Sequence, residues 1–127
     1  RTSSAASDVY KRQGCEEETG VGNIFNAPIK SGTNGSEFIN IFDNKILKPV
    51  DKFKPEVILI SAGFDAHTRD PLANINLESK DYFTITKKIV ELANIHSKGR
   101  LISFFEGGYD LQALSESIKE HLIALKK

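Results

Sequence analysis

Apolar positions along this chain fall into two registers. One is continuous: Val57-Ile58-Leu59-Ile60, bounded by Pro55 and Gly63, and Leu101-Ile102-Ser103-Phe104-Phe105. Unbroken apolar runs of this length predict strands buried on both faces, as in parallel sheets covered by helices. The other register is the three- and four-residue spacing of amphipathic helices. Phe38, Ile39, Phe42, Ile46 and Leu47 form one such stripe, with Ser36 as its N-cap and Pro49 expected to kink or end it. Tyr82, Ile85, Ile89, Leu92 and Ile95 form a second, capped by Ser79 and stopped by Gly99. Leu111, Leu114, Ile118, Leu122 and Leu125 form a third behind Asp110, a good N-cap. A further short strand is expected at Asn23–Ile29, closing near Pro28, which cannot donate a ladder hydrogen bond. The order β-α-β-α-β-α predicts an α/β fold in which helices pack on a parallel sheet.

Ligand sites of open α/β sheets lie just beyond the carboxyl ends of the strands. Two sets of polar residues occupy those positions. Asp65 and His67 follow the first run. Both side chains are zinc donors, and catalytic zinc sites use three protein ligands with one open position. The same pair also fits a carboxylate capping its own loop beside a histidine turned to solvent. Asp70 is a third donor on that view, although an acid before proline commonly caps a turn. The loop continues to about Leu77, long for a compact domain. Glu106-Gly107-Gly108-Tyr109 follows the second run. Its glycines let backbone approach a ligand, and its phenol could hydrogen-bond a developing oxyanion. The alternative is a rim-packed tyrosine beside a tight strand-to-helix turn. The glycines do not fit the G-x-G-x-x-G dinucleotide fingerprint. His96 and His121 fall on the expected helices and read as surface residues.

Composition narrows the classes. The chain has 127 residues, room for one domain with a modest core, and 17 basic against 17 acidic side chains. That balance lacks the basic patch of an electrostatic nucleic-acid binder, so no direct nucleic-acid partner is expected. No apolar stretch has the length of a membrane span, and no secretory signal is visible, so no membrane association is expected. The one cysteine, Cys15, cannot form an internal disulfide, which suits a reducing compartment, intracellular and cytoplasmic, or nuclear in a eukaryote. Residues 1–13 are small and polar without periodicity and are expected to be disordered or foreign to the domain.

In order along the chain, Ser61-Ala62-Gly63-Phe64-Asp65-Ala66-His67, Asp70-Pro71-Leu72 and Glu106-Gly107-Gly108-Tyr109-Asp110-Leu111 resemble the zinc-dependent histone deacetylase family. The likeness is greater to its class II branch and to the bacterial acetylpolyamine amidohydrolases, and it extends from about Gly20 to the C-terminus. The resemblance implies an arginase-like three-layer α/β/α fold, incomplete in this chain, with residues 14–127 as the C-terminal part of a deacetylase domain. It implies hydrolysis of an acetylated amine, with an acetylated protein or polyamine as substrate and Zn2+ as cofactor. Asp65 inherits the role of a zinc ligand, and Tyr109 that of the group polarising the scissile carbonyl. Leu72 matches the mouth of the acyl-lysine tunnel, and Gly107 and Gly108 match backbone near its floor. His67 matches no family ligand. The family's adjacent histidines and its upstream Asp-x-His pair do not occur in this sequence, so the chain alone is expected to be inactive. An open sheet edge, exposed apolar surface and self-association are expected with it. A non-catalytic α/β binding module is the rival reading, and a nucleotide-binding domain a weaker one.

Overall fold

The computed structural model describes residues 14–126; the expectation for residues 1–13 lies outside them. Among the described residues the first helix, α1 (Gly35–Phe42), runs through a π-helical turn (Asp43–Leu47) into α2 (Lys48–Phe53). Then come β1 (Ile58–Ala62), α3 (Ser79–His96), β2 (Leu101–Phe105) and α4 (Leu111–Leu125). β1 and β2 pair in parallel, in register from Ile58 opposite Leu101 to Ala62 opposite Phe105, with α3 as the crossover.

Helix ends follow local hydrogen bonding, in two cases one or two residues from the expected cap. Asn34, not Ser36, caps α1: its Oδ1 accepts from the Glu37 N–H at 3.0 Å, while the Ser36 hydroxyl merely donates to the same oxygen. Glu78, not Ser79, precedes α3, and its N–H donates to Asp81 Oδ2 at 2.8 Å. Asp110 caps α4 as expected, accepting from Ala113 N–H at 2.7 Å. Gly99 ends the α3 turn with φ 74° and an N–H bond to the Ala93 carbonyl. Pro49 does not end its helix. A proline ring clashes with the carbonyl four residues back, and the wider π turn, in which Lys48 N–H reaches Asp43 O, lies across that position.

Asn23–Ile29 forms no strand. Among the described residues no strand offers it a ladder, and the Asn26 amide instead donates to the Cys15 and Glu18 carbonyls. The two strands are not buried on both faces either. α3 and α4 pack on each other, and the inward positions Ile60 and Ala62 join Phe64, Leu77, Tyr82, Phe38, Leu114 and Ile118 in the core. The opposite face carries Leu59, 62% exposed, and Phe104, 52% exposed, because no second helical layer covers it among the described residues. The apolar exposure expected for an incomplete α/β/α architecture is therefore present.

The stripe expected on α4 is rotated. Ala113, Ser117, His121 and Ala124 are its buried residues, while Leu111 and Leu122 are exposed. Small side chains let α4 approach α3 at Thr86, Val90 and Ala93, and Ile95 is left outside. His121, expected at the surface, is buried between them. Its Nδ1 lies 2.7 Å from Thr86 Oγ1 and its Nε2 2.9 Å from Ser103 Oγ. A neutral ring can donate to one hydroxyl and accept from the other, so both nitrogens are satisfied. His96 is also more buried than expected and ties α3 to Asp51 of α2 at 2.7 Å.

Candidate functional site

Beyond Ala62 and Phe105 the two segments stay joined. Glu106 N–H donates to Ala62 O at 3.0 Å, and Phe64 N–H to Gly107 O at 2.8 Å. Phe64 turns inward, its ring 5.2 Å from Tyr82, 6.3 Å from Phe105 and 5.6 Å from His121. Strand-like alternation then sends Gly63 and Asp65 the other way. The Asp65 carboxylate folds back over Gly63, where a Cβ would lie 3.2 Å from its Oδ1. On the neighbouring segment the Tyr109 phenol lies over Gly107, whose Cβ would be 3.4 Å from the phenolic oxygen. Asp65 and Tyr109 thus stand at adjacent carboxyl ends of β1 and β2, with Tyr109 59% exposed. Gly108 adopts φ 145°, and a Cβ there would meet Leu114 Cδ1 at 2.7 Å.

The loop after Asp65 is held at several points. Leu77 N–H donates to Ala66 O and Thr68 N–H to Leu77 O, closing the loop on itself around the buried Leu77. Asn76 N–H donates to Thr33 O, tying the loop to the start of α1. Arg69 reaches α4, with Nη2 2.9 Å from Glu116 Oε2 and Nε 3.8 Å from Asp110 Oδ1. Asp70 is buried. Its Oδ1 accepts from Leu72 N–H at 2.9 Å and its Oδ2 from Tyr109 N–H at 2.8 Å. Leu72 itself is exposed on this loop.

His67 does not turn to solvent, nor is it free to bind a metal beside Asp65. It is buried, its Nδ1 accepts from Arg69 N–H at 3.1 Å, and its Nε2 lies 3.2 Å from Ser79 Oγ. That pattern puts the ring proton on Nε2. Burial, and then the Arg69 cation, lower its pKa below the ordinary imidazole value. The Ser79 hydroxyl, freed from capping, donates onward to Glu116 Oε2 at 3.3 Å.

Tyr82 supports the site from below, its phenol donating to the Phe64 carbonyl at 3.0 Å. Burial first, and then the carboxylates of Asp65, Asp70 and Asp81, push this phenol far above its usual range. Spacing alone presented Tyr82 only as a core residue of a helix stripe. No local pattern pointed to the Asp70–Tyr109 bond, which spans 39 positions.

Asp65, Leu72, Gly107, Gly108 and Tyr109 are gathered at this one edge. As a zinc site, however, the described residues fall short. Among them no three His, Cys, Asp or Glu side chains are grouped to hold a metal, whereas zinc takes at least three protein donors. Asp65 is a suitable oxygen donor, and His67 is already engaged.

The chain matches the histone deacetylase domain model over residues 6–125. It is 41% identical over 107 residues to type-2 histone deacetylase 2 of Dictyostelium discoideum, covering 82% of this chain and 6% of that one. It is 39% identical over 106 residues to the chloroplastic histone deacetylase 14 of Arabidopsis thaliana, covering 84% and 25%. Its structure resembles the crystal structure of the HDA15 HD domain with a TM-score of 0.72 and 30% identity, over 79% of this chain and 28% of that one. The chain thus spans a quarter or less of the length of these two relatives. The fold is an incomplete arginase/deacetylase-like α/β arrangement. No helix among the described residues is long and apolar enough to cross a membrane.

Proposed function

The chain belongs to the histone deacetylase domain family, and from that premise we propose that it is the C-terminal part of a zinc-dependent hydrolase of acetylated amines. The substrate class is acetyl-lysine in proteins or acetylpolyamines. Asp65 contributes one oxygen ligand to zinc, and the other donors and the general base come from polypeptide other than the described residues. Zinc, when bound, supplies Lewis acidity toward the acyl oxygen and a water of lowered pKa. Tyr109 donates its phenolic hydrogen to the oxygen on which negative charge develops. Leu72 borders the entrance for the acylated chain, and Gly107 and Gly108 contribute backbone near its floor. Cys15, free and exposed, supports an intracellular, reducing compartment.

One observation carries the reading: a carboxylate and a phenol on adjacent strand ends, whose segments are joined by the Phe64–Gly107 hydrogen bond. The test is turnover of an acetyl-lysine peptide by the complete protein. Tyr109→Phe should keep its zinc and lose roughly 100- to 1,000-fold in kcat, about 2.7–4 kcal/mol of transition-state stabilisation. Unchanged turnover would remove Tyr109 from the chemistry. Asp65→Ala should lower zinc content by metal analysis, and full occupancy would contradict its role as a ligand. The 127 residues alone should show no turnover; activity from them would overturn the need for donors elsewhere.

A further inference from the structure

Tyr109 has an exposed phenol lying over Gly107, which has no side chain to grip it, so its aim is set from its own main chain. Three features fix that main chain. Gly108 precedes it in a conformation that side chains rarely adopt, Asp110 follows as the N-cap of α4, and its own N–H is taken by Asp70. The first two are local to the turn. The third comes from the loop that carries Asp65 and Leu72.

Asp70 is built for this contact. It is 8% exposed, and each carboxylate oxygen accepts one backbone N–H: Leu72 at 2.9 Å and Tyr109 at 2.8 Å. Its own N–H donates to His67 O at 2.8 Å, so both its backbone and its side chain are anchored. The neighbouring Arg69 cation pairs with Glu116 and Asp110. Hydrogen bonds from N–H to an ionised acceptor are shorter and stronger than neutral ones. One buried charge therefore links the zinc-side loop, the tunnel-side Leu72 and the oxyanion-side tyrosine. Reacting groups displaced by about 1 Å lose on the order of a hundredfold in rate.

We infer that Asp70 is the positioning residue for Tyr109: its carboxylate fixes the tyrosine backbone relative to Asp65 and so sets where the phenol meets the acyl oxygen. This rests on the deacetylase reading of Tyr109 and adds a residue to it. Asp70→Asn keeps the size but turns one acceptor into a donor and removes the charge. One of the two N–H bonds is then lost and the other loses its charge assistance, so the Tyr109 N–H bond weakens whichever way the amide turns. In the complete protein Asp70→Asn should lower kcat by roughly ten- to a hundredfold, leave KM within about twofold and keep zinc content unchanged. Combined with Tyr109→Phe, it should lower kcat no further, because the hydroxyl it positions is already gone.

Unchanged kcat in Asp70→Asn, or a loss that multiplies that of Tyr109→Phe, would overturn the inference while leaving the deacetylase reading intact. If Tyr109→Phe alone keeps full turnover, both fall. Hydrogen exchange on the unmodified 127-residue chain needs no variant to fold. The Tyr109 amide should be protected well beyond those of exposed loop residues such as Asn74, and exchange at the unprotected rate would also overturn the inference.

Discussion

Gly107 and Gly108 are adjacent and chemically identical, yet alanine should affect them in opposite ways. Gly108 sits at φ 145°, and its new methyl would lie 2.7 Å from Leu114 Cδ1 and 3.2 Å from Phe64 Cβ. Backbone strain of that kind costs about 1–3 kcal/mol, and forcing a methyl into packed side chains costs about 1–3 kcal/mol more. Alanine restricts the unfolded chain, which returns about 0.4–1 kcal/mol. The net expectation for Gly108→Ala is a loss of about 1–5.5 kcal/mol. Gly107 is absent from the positive-φ positions, and the nearest atoms its methyl would meet belong to the Tyr109 phenol, at an ordinary contact distance of 3.4–3.7 Å. Gly107→Ala should therefore lie within about 0.5 kcal/mol of the parent, leaning towards stabilisation. Urea unfolding of the chain followed by far-ultraviolet circular dichroism measures both. With a slope of about 2 kcal/mol per molar for a domain of this size, Gly108→Ala should move the midpoint down by about 0.5–3 M. A Gly108→Ala midpoint equal to the parent's, or a Gly107→Ala loss as large, would refute the backbone geometry that aims Tyr109.

Three further outcomes are expected. Gly35→Ala should destabilise by about 1–3 kcal/mol, because its Cβ would lie 2.1 Å from Asp81 Oδ2, a buried carboxylate that caps α3; equal thermal midpoints for the two proteins would contradict that packing. Tyr82→Phe should cost about 1–3 kcal/mol by leaving the Phe64 carbonyl without its phenol donor, read from the same urea titration; no change would mean water replaces the bond. His67 and His121 are both held neutral, chiefly by burial, with pKa values below the ordinary 6.5. The unfolded chain then binds more protons than the folded one, so stability is full above the unfolded pKa and declines as pH falls from there towards the depressed folded values. The urea midpoint should drop between about pH 7.5 and pH 5.5, and His121→Gln should flatten that slope; an unchanged slope would clear His121 of the effect.

What could be read from the chain by itself was whatever a few neighbouring residues decide. The two parallel strands were legible because each is a short continuous apolar run, the first set between Pro55 and Gly63 and the second between Gly99 and Gly107. The Asp110 cap and the Gly99 stop were legible because their bonds close within three and six residues of sequence. Asp65 and Tyr109 could be set at one sheet edge because parallel strands end on the same side. Tertiary structure decided what depends on partners distant in sequence. It chose Asn34 over Ser36, where both have capping side chains, and turned the small-residue face of α4 inward so that His121 became a core group between Thr86 and Ser103. It left Asn23–Ile29 without a ladder and brought the Asp70 carboxylate to the Tyr109 amide. Such choices turn on which hydrogen bonds and contacts survive once the whole chain is packed, and no window of neighbouring residues contains that information.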